Sequence, residues 1–163
     1  GGIYIGVETD ITANGDLQIT GVGGYGNEKL DGISIVDSNI RSKGDIALWG
    51  TSGYGKFVND SYGLYLNKTD VTAENIYFTG LASDQNKNSK SELLDGIHLN
   101  NSRVIANGSF DVFGQTGTSQ NMKNSAGFYV NGSLLKAGSM ALVGIPGDYF
   151  FSDRLGLNQM DLT

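Results

Sequence analysis

The sequence predicts an all-β solenoid, a parallel β-helix of about five coils of roughly thirty residues each, with its loops gathered on one side. Three observations lead there. Glycines recur at Gly2, Gly32, Gly63, Gly96 and Gly127, spaced 30, 31, 33 and 31 residues apart. Each is followed by the same apolar–any–apolar pattern: Ile3/Ile5, Ile33/Ile35, Leu64/Leu66, Ile97/Leu99 and Phe128/Val130. Within each period, short runs of period-2 alternation are bounded by Asn, Ser and Gly, the mark of strands joined by tight corners rather than of helix.

The first strand of each coil is the apolar pair just given. The second supplies a column of Ile11, Ile40, Val71, Val104 and Leu135, followed two residues later by small Ala13, Ser42, Ala73, Ala106 and Ala137. The third supplies Leu17/Ile19, Ile46/Leu48, Ile76/Phe78, Phe110/Val112 and Met140/Leu142, closed by Gly21, Gly50, Gly80, Gly114 and Gly144. If each strand pairs with its counterpart in the next coil, equivalent side chains stack ~4.8 Å apart. The core is then built from like-on-like columns. A hydroxyl column (Thr9, Ser38, Thr69, Ser102, Ser133) and an Asn column (Asn67, Asn100, Asn131) fall at one corner, where they are expected to hydrogen-bond between coils.

The coils divide as 1–31, 32–62, 63–95, 96–126 and 127–144, with 145–163 a degenerate last coil or the extension of a longer shaft. The first coil carries one extra residue near Val7, and the third is one residue short at Asn75. Excursions at 22–31, 51–62, 81–94 and 115–126 all leave after the third strand, so they lie on one side. Insertions collected on one face of a solenoid are often its binding face. Here they carry Tyr25, Tyr54, Phe57 and Tyr62, which otherwise serve to cover apolar surface. Gly156-Leu157 falls 29 residues after Gly127 and is expected to open a sixth coil, its alternation broken by Gln159.

Composition narrows the function. Twenty-five glycines in 163 residues suit many tight turns, each drawing on a permissive backbone. A formal charge of −6 leaves no basic stripe for phosphates, which argues against a nucleic-acid partner and against docking on an anionic membrane. No run of eighteen apolar residues offers a spanning helix, so no membrane insertion is expected. With no cysteine and one histidine, neither disulfides nor a zinc site is expected, and no cofactor is called for. The opening inside a repeat reads as a piece of a longer protein.

The pattern G-h-x-h, then N/D-S/T-x-h-x-A-x-G, then D-h-x-h-x-G-x-S-G-x-G is clearest in 31–55, DGISIVDSNIRSKGDIALWGTSGYG, and in 95–117. It resembles the haemagglutinin repeats of filamentous-haemagglutinin-type exoproteins, the large bacterial adhesins of two-partner secretion. The resemblance covers residues 2–144. It implies a right-handed β-helical shaft, secreted or held at the bacterial outer cell surface, exported through an outer-membrane secretion partner. In that family the shaft presents loops that attach to a host-cell receptor or glycan. In its contact-dependent growth-inhibition relatives it holds a toxin away from the cell.

Some polysaccharide-degrading enzymes share the parallel β-helix, so paired carboxylates matter. Asp16 and Asp45 occupy one column, which continues as a deletion, Ser109 and Ser139; Glu8, Asp37 and Lys68 occupy another. Carboxylates ~5 Å apart would suit a retaining glycosidase or an oxygen-ligated cation. Both sets fall at turn positions, where Asp is favoured for turn chemistry, and no basic residue completes a lyase site. The expectation is therefore a non-enzymatic chain. The outward position of the first strand runs Tyr4, Ser34, Tyr65, His98 and Tyr129. Tyr65, His98 and Tyr129 form either a structural ring ladder or a shallow platform able to stack on sugars.

Overall fold

The computed structural model describes residues 2–27, 29–55, 58, 60–85, 93–119 and 125–145, together with the backbone of 155–158 and 161–162. The chain contributes one triplet of strands per coil. The first is β1 (Ile3–Ile5), β2 (Thr9–Ala13) and β3 (Leu17–Val22). The second is β4 (Ile33–Val36), β5 (Ser38–Ser42) and β6 (Ile46–Thr51). The third is β7 (Leu64–Asn67), β8 (Asp70–Ala73) and β9 (Ile76–Leu81). The fourth is β10 (Ile97–Asn100), β11 (Arg103–Ala106) and β12 (Ser109–Gln115). The fifth is β13 (Phe128–Asn131), β14 (Leu134–Lys136) and β15 (Ser139–Ile145), after which come β16 (Leu155–Asn158) and β17 (Asp161–Leu162).

Every pairing between these strands is parallel and joins equivalent strands of successive coils. The first sheet runs β1-β4-β7-β10-β13-β16, the second β2-β5-β8-β11-β14-β17, and the third β3-β6-β9-β12-β15. This is a parallel β-solenoid. It closes about four turns rather than about five, because a turn needs a triplet and a connection and the fifth triplet leads into residues outside those described.

Register follows the expected columns residue for residue. Ile97 pairs with Leu64 and Phe128, Val104 with Val71 and Leu135, and Phe110 with Ile76 and Met140. The inward side chains of the second to fourth coils form a dry column in which Ile33, Leu64, Ile97, Val71 and Phe110 are fully buried. Phe78 and Phe110 meet edge to face at 5.2 Å in that core. Burying each such side chain contributes about 1.5–3 kcal/mol. Ile3, Ile5, Ile11, Leu17 and Ile19 of the first coil are partly buried and pack against that core.

The corner between the first two sheets is held as its polar columns foretell. Asn100 donates from Nδ2 to Asn67 Oδ1 and Asn131 donates to Asn100 Oδ1, both at 3.0 Å. The hydroxyl of Ser102 accepts from the Thr69 amide at 3.1 Å, and that of Ser133 from the Ser102 amide at 3.0 Å. The same hydroxyls donate back to the carbonyls of Asn100 and Asn131. The residue just before the hydroxyl column adopts positive φ in every coil: Glu8, Asp37, Lys68, Asn101 and Gly132. The extra residue of the first coil is absorbed there, Val7 also having positive φ.

Three expectations change. The glycines are not there chiefly for backbone freedom: Gly132 alone among the described glycines has positive φ. The closing and opening columns are glycine because backbones meet there. A Cβ on Gly50 would collide with the Gly63 carbonyl, and one on Gly114 with that of Gly127. Secondly, the Asp16–Asp45 column has no deletion. Asn75 fills it, since Ile76 pairs with Ile46 and Phe110. The shortening lies in the turn before it, where the Glu74 amide bonds the Gly44 carbonyl. Thirdly, a further coil does begin near Gly156, but two residues out of the expected phase. Leu155 and Leu157 pair with Phe128 and Val130, and Gly156 pairs with Tyr129 instead of continuing the opening glycines.

Candidate functional site

The excursions bridge from the third sheet back to the first, and the outer face of the first sheet is where rings and charges collect. Tyr4, Ser34, Tyr65, His98 and Tyr129 stand in one register column on it. His98 lies 4.6 Å from Tyr129 and 5.5 Å from Tyr65, ring centre to ring centre. The three rings are therefore brought together. They are not an open platform, however. Tyr62, expected on the loop face, folds down onto the sheet and is buried, stacked on Tyr65 at 5.1 Å with 17° between planes and 4.7 Å from His98.

Tyr62 reaches that place through its position immediately before an opening glycine. The equivalent residues of the neighbouring coils are Asp31 and Asp95, as the amide bonds from Gly32 to Tyr62 and from Gly63 to Asp95 show. Each aspartate accepts the backbone amide of the next coil on Oδ1: Asp31 from Tyr62 at 3.0 Å, Asp95 from Ala126 at 2.7 Å. The second oxygen turns to a cation or ring. Asp95 Oδ2 lies 2.7 Å from His98 Nδ1, and Asp31 Oδ2 lies 3.3 Å from Lys29 Nζ. Burial raises both carboxyls above the ordinary 3.8, with the His98 contact opposing the rise at Asp95 and the Lys29 charge opposing it at Asp31. Burial likewise raises the phenols of Tyr62 and Tyr65, with Asp95 adding to the rise at Tyr62 and Asp31 at Tyr65.

Upstream of the covered rings the face opens into a groove of about 430 Å³, a volume within the range of small-molecule sites. Tyr4, Ser34, Tyr65, Lys29 and Asp31 line it, with Lys29 lying over the Tyr65 ring. Tyr4 is 67% exposed and offers a free ring face. Lys29 is oriented three ways at once, by Asp31 and by the faces of Tyr65 at 4.0 Å and Tyr62 at 4.8 Å. The groove thus sets a flat apolar ring against a carboxylate, an ammonium and a hydroxyl. Rings and polar groups set together in this way offer stacking and hydrogen bonds to a ligand that carries both an apolar face and hydroxyls.

The other predicted ligand residues divide. Tyr25 and Tyr54 are 72% and 57% exposed, joined by a backbone bridge and in edge contact at 5.4 Å, so they form a second exposed ring pair on the excursion side. Phe57 lies outside the described residues. The paired carboxylates are spent on turns. Asp16 Oδ1 accepts the Asp45 amide at 2.9 Å, Asp45 Oδ1 accepts the Asn75 amide at 3.2 Å, and Asn75 Oδ1 accepts the Ser109 amide at 2.9 Å. Glu8, Asp37 and Lys68 are the left-handed corner itself, with Lys68 4.0 Å from Asp37.

Sequence reasoning missed Lys29 and Asp31. The repeated Asp-Gly-Ile at 31–33 and 95–97 was the available signal, an aspartate held just before an opening glycine. Comparison with family models, with curated proteins and with solved structures gives no match.

Proposed function

We propose that this chain is shaft from a bacterial filamentous adhesin, secreted or displayed at the outer cell surface, that attaches to a host-cell receptor or glycan. The observation that carries the reading is the groove beside the excursions, lined by the exposed Tyr4, by Ser34 and Tyr65, and by the Lys29–Asp31 pair. Its lining suits a sugar, and Tyr4, Ser34 and Tyr65 stand on paired strands of the first sheet, whose fixed register lowers the ordering cost of binding. The resemblance of the repeats to filamentous-haemagglutinin-type exoproteins supplies the cellular setting, including export of the full-length protein through an outer-membrane partner. Asp16 and Asp45, one of the carboxylate pairs that would serve a glycosidase, are engaged as amide acceptors, which favours attachment over cleavage.

The test is a glycan array, followed by host-cell binding, with the wild-type chain and with Tyr4→Ala and Lys29→Met. Both side chains project from the surface, so neither change opens the core. The expected result is binding by the wild type that falls at least tenfold in Tyr4→Ala. Equal binding by the wild type, Tyr4→Ala and Lys29→Met removes the groove from the account. No binding by the wild type supports the passive shaft of a contact-dependent inhibition exoprotein. Release of reducing sugars from a pectin-like polymer supports the enzyme.

A further inference from the structure

The outer face of the third sheet carries a different surface. Its middle column runs Thr20, Trp49, Thr79, Phe113 and Val143 in register, flanked by Gln18, Ala47, Tyr77, Asp111 and Ala141. Trp49 is 51% exposed, and Tyr77, Phe113 and Val143 also stand in solvent. Among the described residues of these columns, Asp111 is the one charged side chain. A shallow depression of about 260 Å³ lies between Tyr77, Thr79, Asp111, Phe113 and Val143. Both faces of a parallel sheet are ordinarily covered, and an exposed apolar patch of this kind marks a contact surface.

Charge and spacing select the occupant. The chain carries a net charge of −6, which repels polyanions, while the single carboxylate of the face, Asp111, is too little to hold a cationic polymer. A neutral, extended polymer fits both conditions. Trp49 and Phe113 are two coils apart, ~9.6 Å along the solenoid axis, close to the repeat of two pyranose units in an extended β-1,4-linked chain. The ring of Tyr77 lies beside the gap, and Thr79 within it supplies a hydroxyl.

We propose that this face binds an extended, neutral β-linked glycan running along the solenoid axis, with alternate pyranose rings stacked on Trp49 and Phe113 and the intervening ring passing over Thr79 beside Tyr77. The site is separate from the groove on the first sheet and stands whether or not that groove binds.

Trp49 is the chain's single tryptophan and reports directly on the site. Titration with cellohexaose and with chitohexaose is followed by tryptophan fluorescence and by calorimetry. The variants are Trp49→Ala, Phe113→Ala and, as a control, Tyr4→Ala; circular dichroism checks that each keeps its sheet. The expected result is saturable binding of at least one hexaose with a change in Trp49 emission. Calorimetric affinity should fall at least tenfold in Trp49→Ala and in Phe113→Ala and stay unchanged in Tyr4→Ala. Three results overturn the proposal: no binding of either hexaose by the wild type, binding undiminished in Trp49→Ala and Phe113→Ala, or dimerisation of the wild type that those two changes abolish.

Discussion

Gly80 and Gly96 are pressed together where the third sheet gives way to the first: a Cβ built on Gly80 would strike the carbonyl oxygen of Gly96 and the side chain of Ile97. The two residues close one coil and open the next, and the excursion of 81–94 is pinched off between them. The same contact recurs at Gly21 with Gly32, Gly50 with Gly63 and Gly114 with Gly127. It holds the base of each excursion against the shaft and so sets where its residues can reach.

Gly80→Ala is therefore expected to cost at least about 3 kcal/mol, the upper end of overpacking, because the obstructing atoms include backbone. Gly15→Ala is the control. A Cβ there meets nothing within 4 Å, and the change is expected to be neutral or to stabilise by up to about 1 kcal/mol. Urea denaturation of the two variants checks the contrast. Equal costs would mean that close approach is not the reason for the glycine column.

The left-handed corner makes a second prediction. Lys68 sits at φ 49° with its amide bonded to the Asn100 carbonyl. A left-handed residue costs roughly 1–2 kcal/mol unless it is glycine, whereas the exposed contact of Lys68 with Asp37 contributes little. Lys68→Gly should raise stability by about 0.5 kcal/mol after the entropy of a freer unfolded chain is counted. Lys68→Val, β-branched, should lower it. Thermal midpoints of the two variants are the measurement, and the order Val above Gly would contradict the assignment.

Asp31 and Asp95 make a third. Their folded pKa values lie above 3.8, so each carboxyl binds its proton more tightly folded than unfolded. The stability this contributes is present below the unfolded value and is lost as pH rises through the folded one. Asn at either position retains the oxygen that accepts the next coil's amide and removes the titration. Asp31→Asn and Asp95→Asn should each gain stability relative to wild type as pH is raised from about 4 to about 7. Denaturation midpoints across that range check it. A difference that is flat or shrinks with pH would show that these carboxyls do not fold under a desolvation cost.

Much of the solenoid is legible in the sequence because its columns repeat like on like. Ile97 over Leu64, Asn100 over Asn67 and Ser102 over Thr69 can be aligned by eye, and the fold follows from the alignment. The groove is harder to see because its column does not repeat. Asp31, Tyr62 and Asp95 occupy equivalent places with unlike chemistry, so an alignment by similarity passes over them. Lys29 lies in an excursion, where the register of the coils gives no guide. Asn75 was missed for a related reason: a shortened turn hides the residue that continues the Asp45 column. The rings of Tyr65, His98 and Tyr129 were legible as a column, but their covering by Tyr62 depends on how an excursion folds down.

Groove, ring ladder and apolar face all rest on coils lying in register, and spin-label distances along one outward column test that directly. Asp10, Asn39, Asp70, Arg103 and Leu134 are successive partners in the second sheet. With no native cysteine to interfere, Asp10→Cys is combined in turn with Asp70→Cys, Arg103→Cys and Leu134→Cys, and each pair is labelled. The account predicts separations that grow by one strand spacing per coil, ~10, ~14 and ~19 Å. Separations that fail to grow in that order would contradict the parallel stack and every site built on it.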